Sequence, residues 1–583
     1  MSDAAVRYGA EPAVHQQDST PRPWTWVEIV LLLLAPALAF LLMRFKPIAQ
    51  DGGLDPFVYT GYINNFADLF ERYGITYYGV RFGLILPGKL LVSLFGSVGG
   101  YFALRYCLVL LAGLPFYALI RKHYGRGVAA AMFTGLLASP FLARTMLWDY
   151  PDASGVSYLL AALSLVLLEP RRRYLGALAA GCLAGLAVHS NFFVIAPLGA
   201  FLGTYALVWL LARRGWRALA SRAACVLAGM LAVTAVGVAF YWWSIGTWDI
   251  FSVTIKTALW LAAGGTKNWR SADPSWLISR WAALTPVFLT LLALLAAGLR
   301  NPAFHEKAVL YGGLSTVAFF YSNQFLMVGN SLELYYYFSY SLPAIFLLLA
   351  VIVGRLARED AWGVVPVLFV AASLLPWVLY ALGVTAFSGW SFGEHLVLVG
   401  VTGLLVFAAT RWRRPLPWFP VSAALLLGVM FWSSFFQPRY AAMVNSWERP
   451  EQRERAVYNV ALQFMEAVRT STGGRGSIRF WYSNEPRGNS MQSVQSMFLW
   501  GYSRVQGDGA GLPSLEPQEL ALITAPEVSW LALMAERPQQ LQEAREVLGA
   551  RGVAFQPVAL RVFASGDYRV YFQLLRLQKS PKP

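Results

Sequence analysis

Charge is scarce in this chain of 583 residues. Asp, Glu, Lys and Arg make up 13% of it, about half the share usual in a soluble domain. With 57% hydrophobic residues, that scarcity excludes a disordered chain, a collagen-like rod and a cytosolic nucleic-acid binder. Cysteine is almost missing. Cys107, Cys182 and Cys225 all fall in apolar segments, so there is no disulfide framework and no metal-ligand spacing. Absent too are GxxxxGK[ST], HExxH and GxGxxG, so an ATP-driven pump on this chain alone is not expected.

What the chain has is apolar length. Stretches of about 20 hydrophobic residues recur along most of it, the signature of a polytopic α-helical membrane protein. About thirteen spans can be read: near 24–43, 101–120, 127–147, 153–168, 174–189, 192–211, 222–243, 276–298, 308–328, 335–353, 361–383, 395–410 and 418–436. The first is too long, and too poor in small residues at its end, for a cleaved signal peptide. Residues 1–23 read as a polar cytoplasmic tail, and 24–439 as the transmembrane module. Between the first two spans lies an amphiphilic stretch, 44–100, whose second half (Phe82 to Val98) suits a re-entrant or interfacial helix.

The excess of positive charge, +16, follows this threading. With the N-terminus inside, the inner loops carry Arg121, Lys122 and Arg126; Arg171 to Arg173; Arg213, Arg214, Arg217 and Arg222; Arg300 and Lys307; Arg355 and Arg358; and Arg411, Arg413 and Arg414. The turns at 189–191, 329–334 and 384–394 hold no Lys or Arg. The positive-inside rule therefore places 44–100, 144–152, 244–275 and the C-terminus on the outer, periplasmic side of a plasma (inner) membrane. From about 440 to 583 the polarity becomes ordinary. A helical stripe (Ala456, Val457, Val460, Ala461, Phe464, Val468) precedes strands expected at Ser477–Tyr482, Leu520–Thr524, Val553–Val562 and Tyr568–Leu577, with a helix near 536–550. That alternation reads as a small extracytoplasmic α/β domain.

Acids near the spans are the first candidates for chemistry, because charge is costly there. Asp51 and Asp55 follow span one in Gln50-Asp51-Gly52-Gly53-Leu54-Asp55-Pro56-Phe57-Val58-Tyr59. Asp55 before Pro56 is also a good helix start. Asp149 and Asp152 lie in Trp148-Asp149-Tyr150-Pro151-Asp152, on the same expected face. Asp152 equally suits a cap on span four. Arg81, Lys89, Arg144 and Lys256 are cations of that face, able to meet a lipid phosphate or simply to snorkel. His189 ends span five and reads either as a cleft residue or as packing. Glu333 and Tyr336, in Glu333-Leu334-Tyr335-Tyr336-Tyr337-Phe338, suit a sugar or isoprenoid cleft as well as an aromatic belt. In the C-terminal domain Trp481, Trp500 and Tyr502 suit either carbohydrate binding or a small core.

These residues resemble the GT-C superfamily of polyprenyl-phosphate-sugar-dependent glycosyltransferases, nearest to the protein O-mannosyltransferases and the lipid A aminoarabinose transferase. The resemblance rests on the acid-led outer loop after span one and on Tyr77-Tyr78-Gly79-Val80-Arg81-Phe82-Gly83-Leu84 within it. It rests also on Tyr150-Pro151-Asp152 at span four and on the outer C-terminal domain. Members often carry adjacent Asp-Glu after span one; here Asp51 and Asp55 stand four apart, and Asp55 to Tyr59 fits an Asp-x-x-x-Tyr spacing. The Arg-Tyr common in a late outer loop is here Glu333 to Tyr336, without the Arg.

The resemblance implies an inverting glycosyltransferase. A polyprenyl-phosphate hexose or pentose enters from the membrane, and Asp55 takes the proton of a glycan, lipid or protein acceptor, with Asp51 and Asp152 beside it. Arg81, Lys89, Arg144 and Lys256 hold the leaving phosphate, and Tyr59, Asp149, His189, Glu333 and Tyr336 line the cleft. A metal is left open: oxygen ligands would suit Mg or Mn, and many members of the superfamily work without one. Partners are then the lipid-linked donor, the acceptor and membrane lipids, with no nucleic acid. Two other readings stand beside this one: a transporter or lipid flippase, and a non-catalytic protein of envelope polysaccharide assembly.

Overall fold

The computed structural model describes residues 24–42, 55–139, 145–146, 151–169, 173–262, 284–297, 302–326, 332, 335–381, 391–412, 416–433, 463–464, 467–468, 470–472, 477–483, 512–565 and 568–578. The tail 1–23, the stretch 434–462 and Trp500 and Tyr502 lie outside them.

A helix lies over every span expected from the sequence. The chain begins with α1 (Trp26–Leu42), α2 (Asp55–Asn64), α3 (Phe66–Tyr73), α4 (Phe82–Tyr124), α5 (Arg126–Ala138) and α6 (Pro151–Leu168). There follow α7 (Arg173–Ser190), α8 (Ile195–Leu211), α9 (Trp216–Ile245), α10 (Ser252–Ala262), α11 (Thr285–Ala297) and α12 (Phe304–Phe325). The last four of the module are α13 (Leu342–Arg358), α14 (Val365–Ala381), α15 (Phe392–Arg411) and α16 (Trp418–Ser433). Among the described residues, five helical stretches are long and apolar enough to cross a bilayer: 99–124, 192–211, 216–245, 339–358 and 392–411. Others, such as α5 and α11, are shorter and apolar. The protein is thus a many-helix membrane protein with a small C-terminal sheet.

Helix α13 is apolar all round and buried along nearly its whole length, which marks it as the centre of the bundle. The amphiphilic stretch after α1 holds the expected helices, α2, α3 and the first arm of α4. Gly96 divides α4: its φ of +73° is a conformation open to glycine and costly for other residues. The arm Phe82–Phe95 therefore turns away from the spanning part.

Carboxylates and arginines collect at one end of the bundle in three clusters. Glu28 on α1 accepts hydrogen bonds from Arg121 Nε (2.6 Å) and Tyr117 (2.9 Å), with Arg126 at 3.5 Å. Glu169, after α6, accepts from Arg214 and Arg222, each at 3.0 Å. Glu306 on α12, fully buried, accepts from Arg355 Nε (3.0 Å), Arg358 (3.2 Å) and Tyr124 (3.0 Å). Lys122 donates to the carbonyl of Leu168, and Arg358 donates to that of His123, so the three clusters lie side by side. Each of the three carboxylates, two of them buried and Glu169 half-buried, is compensated by two guanidinium groups, the condition under which such a charge is tolerated. Arg121, Arg126, Arg214, Arg222, Arg355 and Arg358, from loops picked out by charge asymmetry, thus meet at one end.

The C-terminal sheet has the order β1-β2-β4-β3, built from β1 (Ser477–Tyr482), β2 (Val528–Ala535), β3 (Phe555–Ser565) and β4 (Tyr568–Leu577). β1 runs parallel to β2, while β2–β4 and β3–β4 are antiparallel. α17 (Pro517–Thr524) and α18 (Pro538–Ala550) complete it. Leu531, Leu533 and Leu575 on one sheet face pack with Leu541 and Leu548 of α18. Phe480, Met534, Phe572 and Leu574 form the other face. Trp481 is buried in the first of these cores, so it is a packing residue rather than an exposed sugar platform.

One expected element changes type. Leu520–Thr524, read from sequence as a strand, is the end of helix α17. A short apolar run does not distinguish the two. Here Pro517 at the first helical turn and the Glu519 carboxylate accepting from the Glu516 N–H (3.0 Å) start a helix. The second strand is instead Val528–Ala535.

Candidate functional site

The opposite end of the bundle carries a different set of polar groups. Asp152 stands in the first turn of α6, whose far end leads to Glu169. Asn191 follows α7, and Tyr340 precedes α13, whose far end carries Arg355 and Arg358. The loop between α3 and α4 brings Arg81 to the same place. That loop is pinned at three points: Tyr241 donates to the carbonyl of Gly79, the Tyr62 and Thr76 hydroxyls lie 2.7 Å apart, and the Gly79 N–H donates to Thr76 (3.1 Å).

Asn191 joins the cluster. Its Nδ2 donates to Asp152 Oδ1 at 2.9 Å. Its Oδ1 accepts from the Phe193 N–H at 3.1 Å and, more weakly, from Arg81 Nη1 at 3.5 Å. Arg81 Nη1 also reaches the carbonyl of Ser190 at 3.4 Å. The guanidinium carbon sits 4.1 Å from the centre of the Tyr77 ring, within cation–π range. Tyr59, Tyr337 and Tyr340 lie around it. Tyr340 is fully buried beside the Asp152 carboxylate, over Gly155 one turn along α6. A Cβ at Gly155 would come within 2.8 Å of the Tyr340 hydroxyl, so only glycine lets that ring approach.

Both charges are enclosed: Asp152 is 0% and Arg81 5% exposed. Yet Arg81 Nε is buried without a hydrogen-bond partner, while the Tyr340 hydroxyl faces the Asp152 carboxylate. Such an unpaired group costs about 1–3 kcal/mol. An open guanidinium N–H beside an Asp–Tyr pair in an aromatic enclosure has the chemistry to receive an anion next to a hydroxyl-bearing ligand.

The sequence candidates divide accordingly. Arg81, Asp152 and Tyr59 converge here. Asp55 is the first residue of α2, one turn before Tyr59, so the two positions share a helix face. Lys89 lies elsewhere, in a groove beside α2. Lys256 is exposed on α10. His189 stacks on Phe82 (4.1 Å between rings) and is hydrogen-bonded to Thr234 (2.8 Å), the surroundings of a packing residue. Asp51, Arg144, Asp149 and Glu333, and the side chains of Asp55 and Tyr336, lie outside the described residues. Asn191 and Tyr340 were not singled out by sequence: an uncharged Asn after a helix reads as a cap, and Tyr340 ends an aromatic run. Among the described residues no three His, Cys, Asp or Glu side chains group together. Asp152, whose neighbours are Arg81, Asn191 and Tyr340, does not fit a Mg or Mn site.

The solved structure of ArnT from Cupriavidus metallidurans bound to undecaprenyl phosphate matches with a TM-score of 0.50 at 15% identity, over 94% of this chain and 97% of that one. The archaeal oligosaccharyltransferase AglB from Archaeoglobus fulgidus, in complex with an inhibitory peptide and a dolichol-phosphate, matches less closely. Its TM-score is 0.37 at 15% identity, over 87% of this chain and 70% of that one. No protein-family model matches the chain, and no curated protein sequence does. The likeness is one of fold.

Proposed function

We propose that the chain is a glycosyltransferase that moves a sugar from a polyprenyl-phosphate donor to an acceptor hydroxyl at the outer face of the membrane, with inversion. The observation that carries this reading is the enclosed Arg81–Asn191–Asp152–Tyr340 cluster, at the bundle end opposite the arginine-rich clusters. By the positive-inside rule the arginine-rich end is cytoplasmic. The fold supports the reading, since ArnT, with which it is shared, binds undecaprenyl phosphate.

In this reading Arg81 holds the donor phosphate through its open Nε–H and its charge. Asp55 takes the proton of the acceptor hydroxyl, whose oxygen attacks the anomeric carbon from the face opposite the phosphate. The bond from that carbon to the phosphate oxygen breaks, and the phosphate leaves with the electron pair onto a site already positive. General-base assistance of this kind contributes about 10²–10⁴ in rate. Asp152 fixes Asn191 and, with Tyr340 beside it, offers its carboxylate to a substrate hydroxyl. The test is transfer by purified protein from undecaprenyl-phosphate hexoses and pentoses. Asp55→Asn should abolish transfer while the protein remains folded and inserted. Near-normal transfer by that variant would remove Asp55 from its role.

A further inference from the structure

A second cation of the same helix arm faces a separate place. Lys89 stands eight residues beyond Arg81 on α4, a rise of about 12 Å. It lines a groove of about 460 Å³ between α2, the first arm of α4 and α9. Ile63, Leu90 and Phe240 supply apolar walls, and Asn64 and Ser93 lie beside Lys89. Among the described residues no carboxylate lines the groove. Where Arg81 is enclosed, this groove is open. Leu90 is 61% and Leu94 64% exposed. With Leu86 they repeat every four residues, so they form one apolar stripe that runs out of the groove along the arm. One positive charge with two uncharged polar side chains at the head of an apolar stripe matches a lipid with an anionic phosphate head and a hydrocarbon chain.

We propose that the Lys89 groove binds an anionic glycerophospholipid of the surrounding leaflet, its phosphate on Lys89 and one acyl chain along Leu90 and Phe240. A glycerophospholipid is favoured over the polyprenyl-phosphate donor because the groove is open and lies apart from the enclosed Arg81 cluster. The proposal does not depend on sugar transfer.

The test uses the full chain purified in a neutral detergent, titrated with dioleoyl phosphatidylglycerol or dioleoyl phosphatidylcholine and read by native mass spectrometry. Phosphatidylglycerol should be retained about fivefold better than the zwitterionic lipid, the effect of one interfacial cation. Lys89→Gln should erase that preference, and Lys89→Arg should keep it. Leu90→Glu, which places an acid at the apolar wall, should lower retention of both lipids. Equal retention of the two lipids by the unaltered protein, or an undiminished preference in Lys89→Gln, would overturn the proposal. So would loss of undecaprenyl phosphate rather than phosphatidylglycerol in Lys89→Gln, which would make the groove part of a donor site.

Discussion

Replacing Arg81 by Gln isolates the contact on which the proposed donor site turns. In the free protein Nη1 is occupied by Ser190 and Asn191, while Nε is buried and open. A bound phosphate would gain at least one charge-assisted hydrogen bond from that Nε–H, worth about 1.5–3 kcal/mol. Taking about 2 kcal/mol, Arg81→Gln should weaken undecaprenyl phosphate binding by about thirtyfold. Gln retains an amide that can still donate to Ser190 or Asn191, so the loop should keep its place. Arg81→Lys keeps the charge but loses the planar fork, and should fall between the two. The assay is a titration of purified protein in neutral detergent at fixed ionic strength, with thermal unfolding followed in parallel. If Arg81→Gln unfolds at the normal temperature and binds undecaprenyl phosphate with unchanged affinity, the phosphate does not sit on Arg81.

Two other substitutions probe the geometry. Gly155→Ala puts a methyl group 2.8 Å from the hydroxyl of a fully buried Tyr340. It should cost about 1–3 kcal/mol of stability as overpacking and reduce transfer; Tyr340→Phe added to it should restore part of the stability, and calorimetry of both variants checks this. In a background without Cys107, Cys182 and Cys225, cysteines at the exposed positions 217 and 256 should react with a membrane-impermeant reagent from opposite sides, 256 from outside. Labelling of both from one side would refute the threading.

Much of this was legible in advance, for identifiable reasons. Apolar length and the alternation of basic loops marked the helices and the arginine-rich end, because both obey the energetics of the bilayer. Arg81 and Asp152 stood out because a charge near a span demands an explanation. Asn191 did not, because its bonds to Asp152 and Arg81 join segments 39 and 110 residues apart, and no local pattern reports such a meeting. Lys89 and Arg81 looked alike in sequence. They separate only because eight residues of chain bring one into an aromatic enclosure and the other into an open groove. Leu520–Thr524 exchanged strand for helix because a short apolar run suits either element, and Pro517 with its capping glutamate decides between them.

The single amide of Asn191 serves both enclosed charges, one through its nitrogen and the other through its oxygen. The oxygen is held as well by the Phe193 N–H at 3.1 Å, so the amide plane is fixed from the backbone and sets the spacing between guanidinium and carboxylate.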